Sequence, residues 1–211
     1  MLFSIKNRVG GTMFLTLILA GVSVGLRGLF GLSWDLRFSP AAVAAAAAGL
    51  AVIVGVNALL HAAMSACFGE TYRSVCRSFV DYFRPQGCPH FIAAGLLAAA
   101  EETFFRGVVL EWLMTGAGWN AILSVVASGF LFGLCHVIPD RRFTLFAFWA
   151  ILEGLFLGGL YAMTHSLTAL MLSHFVNDAT GYALFAAERR HHWLLGPQKI
   201  SHSHRWAFFN F

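Results

Sequence analysis

Charge is what this chain has least of. Only 11% of its 211 residues are Asp, Glu, Lys or Arg, against about 25% in a soluble domain. That depletion excludes a disordered chain, an extended coiled coil and an ordinary cytosolic enzyme. Period-two alternation of apolar and polar residues is also missing, so strands are not expected. The cysteines Cys67, Cys76, Cys88 and Cys135 form no CxxC pair, which speaks against a zinc ribbon or a disulfide framework. Cys67 and Cys135 read instead as small apolar packing residues. No internal repeat is visible, and an inverted-repeat transporter loses its support. The net charge of +4 comes from 14 Lys+Arg against 10 Asp+Glu, scattered between apolar blocks rather than gathered in a patch. No nucleic-acid partner is expected.

What fills the chain is hydrocarbon. Hydrophobic residues make up 58%, the mean hydropathy is +0.71, and they arrive in long runs. A helix needs roughly 20 mostly apolar residues to cross the bilayer core. Six segments approach that length: 12–32, 41–67, 91–115, 121–138, 143–163 and 167–187. Lys6 and Arg8 before the first run resemble the start of a signal peptide, yet the run continues past any small-residue cleavage site and is kept as a helix. The expected fold is all-α, a polytopic transmembrane helix bundle of about six spans in a cell membrane. Its organisation reads as two N-terminal helices (1–68), a cytoplasmic loop (69–90), a four-helix core (91–187) and a basic tail rich in His and aromatic residues (188–211).

Lys and Arg in short connections set orientation. Lys6, Arg8, Arg73, Arg77, Arg84, Arg141, Arg142, Arg189, Arg190, Lys199 and Arg205 fall on one side, while Arg37 stands on the other with Arg27 nearby. Both termini are expected in the cytoplasm. Within the loop, Arg73, Arg77, Asp81 and Arg84 recur at helical steps, with Tyr72, Val75, Phe79, Tyr82 and Phe83 largely on other sides. This pattern predicts an interfacial amphipathic helix near 70–84, ended by Pro85, Gly87 and Pro89. Gly21/Gly25, Gly129/Gly133 and Gly154/Gly158 have the spacing that lets helix backbones approach. The tail, with His191, His192, His202 and His204 among Trp193, Trp206, Phe208 and Phe209, reads as resting on the inner leaflet.

Charges in mid-membrane cost about 2.5 kcal/mol or more each, yet the apolar segments hold Glu101, Glu102, Arg106, Glu111, His136, Glu153, His174 and Asp178. Glu102 and Arg106, four apart, share a helix face and can pair. Glu101 points about 100° away from Glu102 and is free to face a cavity. Phe132 and His136 are four apart, as are His174 and Asp178. Three helices can therefore aim functional groups at one centre, as bundles do at buried sites. A desolvated glutamate suits a general base, and an imidazole can support the oxyanion of a tetrahedral intermediate. Together they describe peptide hydrolysis by an activated water.

Glu101-Glu102-Thr103-Phe104-Phe105-Arg106 matches an EExxxR motif. Phe132-Gly133-Leu134-Cys135-His136 matches FxxxH, and His174-Phe175-Val176-Asn177-Asp178 matches His, three residues, then Asn or Asp. In this order and in separate spans, the three motifs resemble those of the CAAX-protease and bacteriocin-processing (CPBP, or Abi) family of glutamic intramembrane proteases. The resemblance covers roughly residues 91–187. It implies that Glu101 activates the water with His136 as partner, and that Glu102 supports it while held by Arg106. His174 and Asp178 would take the oxyanion-stabilising positions, with Phe132 packed beside the site. An ionised Asp only accepts hydrogen bonds, so Asp178 is either protonated, an orienter of His174, or replaced as donor by Asn177. The implied substrate is a membrane-associated protein or peptide, and the implied cofactor is none.

Other readings stay open. Glu, His and Asp are also zinc ligands, although no HExxH is present. Ser128-Gly129 with His174 faintly resembles a serine dyad. The same polar groups also suit a non-catalytic immunity or scaffold protein that binds a peptide, or a small proton-coupled carrier. Glu153 either lines the cavity or bonds to a neighbouring helix. Glu111 reads as solvated, and the lone histidines His61 and His165 as satisfied or interfacial rather than functional.

Overall fold

The computed structural model describes residues 6–34, 36–83, 87–137 and 144–191, with the side chains of 6–8 and 191 excepted. The expected helix end at 84–85, the 138–143 connection with Arg141 and Arg142, and the tail from 192 onward lie outside the described residues. Every element described is a helix. In order they are α1 (Lys6–Phe30), α2 (Pro40–Tyr82), α3 (Cys88–Phe104), a π-helical segment (Phe105–Leu110), α4 (Glu111–Thr115), α5 (Ala121–Cys135), α6 (Thr144–Thr164) and α7 (Leu167–His191). The segment from Cys88 to Thr115 is thus one rod with a π insertion.

Local chemistry sets the boundaries. Ser39 caps α2 by accepting from the Ala42 amide at 3.1 Å, with Pro40 fixing the first turn. Asn120 caps α5 through the Leu123 amide at 2.9 Å. Inside α2, Gly69 breaks the helix with φ 51° and ψ −124°, a left-handed φ that only glycine adopts without strain. The break divides an apolar rod from the amphipathic stretch 70–82. That stretch buries Tyr72, Val75, Phe79 and Val80, and its aromatic face packs on Leu145, Phe146 and Phe185. On its outer side Arg73 and Arg77 pair with Glu70. The hydrogen bond from Arg77 holds the Glu70 carboxyl below its ordinary value. His61 is satisfied, as expected, meeting the Tyr72 hydroxyl at 3.1 Å across the break.

Among the described residues, three helices are long and apolar enough to cross a membrane, within Val9–Phe30, Pro40–Tyr82 and Thr144–Thr164. Large apolar side chains face outward along the bundle, with Leu17 67%, Leu59 73% and Ile122 76% exposed. In water such a surface would aggregate; in lipid it is the solvated face. The molecule is an all-α membrane helix bundle.

Two glycine motifs do the packing expected of them, and one does not. A Cβ on Gly129 would lie 2.8 Å from the Leu155 amide, and one on Gly154 would lie 2.8 Å from the Gly129 carbonyl. Helices α5 and α6 therefore touch backbone to backbone, with Gly158 against Val125. Gly21 and Gly25 meet nothing within 4 Å. They lie on the outward face of α1, so this spacing does not pack here. Cys67 and Cys135 are corrected likewise, being free and exposed rather than packed inside.

Candidate active site

The centre is built from α3, α5, α6 and α7. Glu102, wholly buried, accepts on one oxygen from Arg106 Nη1 at 2.7 Å and meets His174 Nδ1 at 2.7 Å. A carboxylate paired with arginine only accepts, so His174 presents Nδ1–H to it and directs Nε2 the other way. Arg106 Nη2 donates to the Gly154 carbonyl on α6 at 3.1 Å. Its guanidinium lies over the Phe132 ring at 4.6 Å. Phe132, 1% exposed, contacts both imidazoles, with ring centroids 4.4 Å from His136 and 5.9 Å from His174.

Glu101 occupies the gap between those imidazoles. Its two oxygens lie 3.9 Å from His136 Nε2 and 3.8 Å from His174 Nε2. His136, the residue that ends α5, has Nδ1 2.7 Å from the Phe132 carbonyl. A carbonyl accepts only, so His136 donates from Nδ1 and turns Nε2 toward Glu101. Separations near 4 Å exceed a direct hydrogen bond and match the span bridged by one small polar group. Asp178 Oδ2 lies 3.8 Å from His174 Nε2. Asn177 donates instead to Glu153 Oε1 at 2.9 Å.

The six residues singled out in the sequence thus meet around one point, each brought there by a different physical constraint. Glu101 and Glu102 differ by one helical step, so one faces the open gap and the other the ion pair. The π segment follows at once. In its wider turn the Glu111 amide bonds to the Arg106 carbonyl five residues back. Such insertions are frequent at functional sites. Two of its carbonyls accept from side chains elsewhere. Ser128 Oγ donates to the Phe105 carbonyl at 2.8 Å, and Arg27 Nη1 donates to the Gly107 carbonyl.

Several residues stand differently from expectation. Ser128 is fully buried with its hydroxyl engaged by that carbonyl, so the serine dyad with His174 has no free nucleophile. Glu111 is half-buried rather than solvated, 3.9 Å from His165 Nδ1, and its Oε2 has no hydrogen-bond partner among the described residues. Glu153 bonds to a neighbouring helix, and with His174 and Asp178 it offers ligand atoms within 4.8 Å of one another. Arg27 went unrecognised in the sequence as part of this region. It is 1% exposed and carries a cation–π contact to Trp34 at 4.4 Å. Its one sequence signal is a charge in the last turn of an apolar helix.

A lipid-facing helical bundle closed around buried carboxylates and imidazoles defines a membrane protein with an acid–base centre. Residues 85–180 match the family model described as type II CAAX prenyl endopeptidase Rce1-like. All six sequence-predicted site residues fall within it. No curated protein and no solved structure matches the chain.

Proposed function

We propose that the protein is a multi-pass intramembrane endopeptidase that hydrolyses a peptide bond of a membrane-associated protein or peptide with water activated by Glu101. The observation that carries this reading is Glu101 set between two imidazole Nε2 atoms at 3.8 and 3.9 Å. In this mechanism a water held by Glu101 and His136 Nε2 attacks the carbonyl carbon as its proton passes to Glu101. The oxyanion forms beside His174, which donates from Nε2 in its imidazolium form while Nδ1–H stays on Glu102. Asp178, 3.8 Å from that Nε2, orients the ring and offsets its charge, a role that suits an Asp at this position. The proton on Glu101 then moves to the amide nitrogen as the C–N bond breaks, leaving a carboxylic acid, which keeps the second proton of the water, and an amine. Arg106 fixes Glu102, and Phe132 shields the ion pair from water.

The family description names prenyl endopeptidases, which favours a lipid-modified peptide as the first substrate to try. Termini in the cytoplasm, from the Lys/Arg distribution, would bring the site within reach of the inner leaflet. Glu101→Gln keeps the shape and removes the base. In a cleavage assay on internally quenched, membrane-anchored peptides, one of them carrying S-farnesylcysteine, the variant should lose at least about 10³-fold in kcat. Retained cleavage would refute the glutamate mechanism, and a cellular phenotype surviving the change would favour a peptide-binding scaffold.

A second reading has one observation in its favour. Glu153, His174 and Asp178 could hold a divalent cation, with Glu102 on the far nitrogen of His174 as the carboxylate partner that metal-bound histidines commonly have. Zinc analysis of the purified protein, and chelator sensitivity of cleavage, separate the two.

A further inference from the structure

We propose that Glu153 is a positioning residue of this site, fixing through Asn177 the rotation of α7 that aims His174 and Asp178 at the α3 glutamates. The inference rests on the hydrolytic reading above, and it gives a role to a residue outside all three motifs.

Glu153 is the only charged residue of α6, in the middle of a helix apolar enough to cross a membrane. A lone carboxyl there is costly unless partnered. Its partner is Asn177 Nδ2, 2.9 Å from Oε1. The next residue, Gly154, gives its carbonyl to Arg106 Nη2 at 3.1 Å, and its Cα faces the Gly129 backbone too closely for a side chain. Two consecutive residues of α6 therefore hold all three motif-bearing elements. Gly154 holds the α5 backbone and the arginine of the glutamate motif, and Glu153 holds α7.

The rotation of α7 matters because its reactive groups lie at the end of a lever. Asn177 is three residues after His174 and one before Asp178, so holding its amide sets the direction of both. A rotation of 20° swings an atom at the rim of a helix by about 2 Å. A misplacement of about 1 Å can cost around 10²-fold in rate. Elsewhere α7 packs chiefly on α2 and α3, and the Glu153–Asn177 bond is a polar tie between α7 and α6.

The test compares Glu153→Ala, Asn177→Ala, the double variant and Glu153→Gln, with Glu101→Gln alongside, on the same peptide panel. Glu153→Ala and Asn177→Ala are each expected to lower kcat about 10²-fold with KM little changed. The double variant should fall no further than the worse single one. Glu153→Gln retains an oxygen that accepts from Nδ2, so it should restore cleavage to within a few-fold of wild type with the same pH profile. Thermal unfolding in detergent accompanies each variant; if Glu153→Ala fails to fold, Asn177→Ala and Glu153→Gln decide the matter. Four results would overturn the proposal: additive losses, wild-type rates in both alanine variants, Glu153→Gln as inactive as Glu153→Ala, or a stoichiometric zinc lost on Glu153→Gln. Cleavage surviving in Glu101→Gln overturns the hydrolytic reading instead, and a wild type that cleaves no member of the panel overturns both.

Discussion

Two arginines are buried in this bundle to 1% exposure or less, and they are held in opposite ways. Arg106, at the centre, answers a carboxylate: Glu102 is one helical turn away, and a carbonyl of α6 takes the second nitrogen. Arg27, toward the other end of the rod, makes its described contacts with neutral partners, the Gly107 carbonyl and the face of Trp34, and the Glu111 carboxylate acts on it at longer range. One is paired directly with a buried carboxylate, and the other donates to a main-chain carbonyl of the π segment. The contrast teaches that burial alone does not rank a charge. What matters is the state of the partner left behind when the charge is removed.

The sharpest way to break that contrast is to remove each side chain in turn. Arg106→Met leaves Glu102 as an uncompensated buried carboxylate and should cost about 3–5 kcal/mol in unfolding free energy, with loss of cleavage. Arg27→Met removes its own charge and takes one donor from a neutral carbonyl, so about 1–3 kcal/mol is expected in the same measurement. Equal costs for the two would erase the distinction. Ser128→Ala removes the donor to another carbonyl of the π segment, that of Phe105, and should cost about 1 kcal/mol. Its cleavage should persist at a substantial fraction of wild type, whereas a serine nucleophile would make the variant inactive.

Arg77 completes the series at the surface. Its hydrogen bond keeps the Glu70 carboxyl below its ordinary value, so the pair contributes when pH exceeds that value and is lost as pH falls through the lowered one. Exposure limits the effect to about 0.2–1 kcal/mol. The difference in thermal midpoint between wild type and Arg77→Gln should therefore be small at neutral pH and close toward pH 3. A gap that widens on acidification would contradict the sign.

How far the site could be read in advance follows from the distance over which each interaction acts. Glu102 with Arg106 and His174 with Asp178 are four residues apart, and helical periodicity alone puts each pair on one face. The same holds for the amphipathic stretch 70–82, whose aromatic face is buried against α6 and α7. Glu153 with Asn177 spans 24 positions and Arg27 with Gly107 spans 80, and no local rule links them. The GxxxG spacings show the limit most plainly. The pattern is identical at Gly21 and at Gly129, yet only the second meets another backbone, because spacing describes a helix and not its neighbour.

By itself the sequence determined that the chain is helical and lipid-facing, and which side chains stand as candidates for chemistry, because hydrophobic run length and the 3.6-residue turn are properties of the chain alone. Only the tertiary structure decided that Glu101 stands between two imidazoles, that Asn177 turns to Glu153 rather than to the gap, and that the rod from Cys88 to Thr115 widens at Phe105. Those outcomes depend on how closely α5 and α6 pack and which side chains reach the carbonyls of the π segment. Both are settled by contacts between helices far apart in the chain.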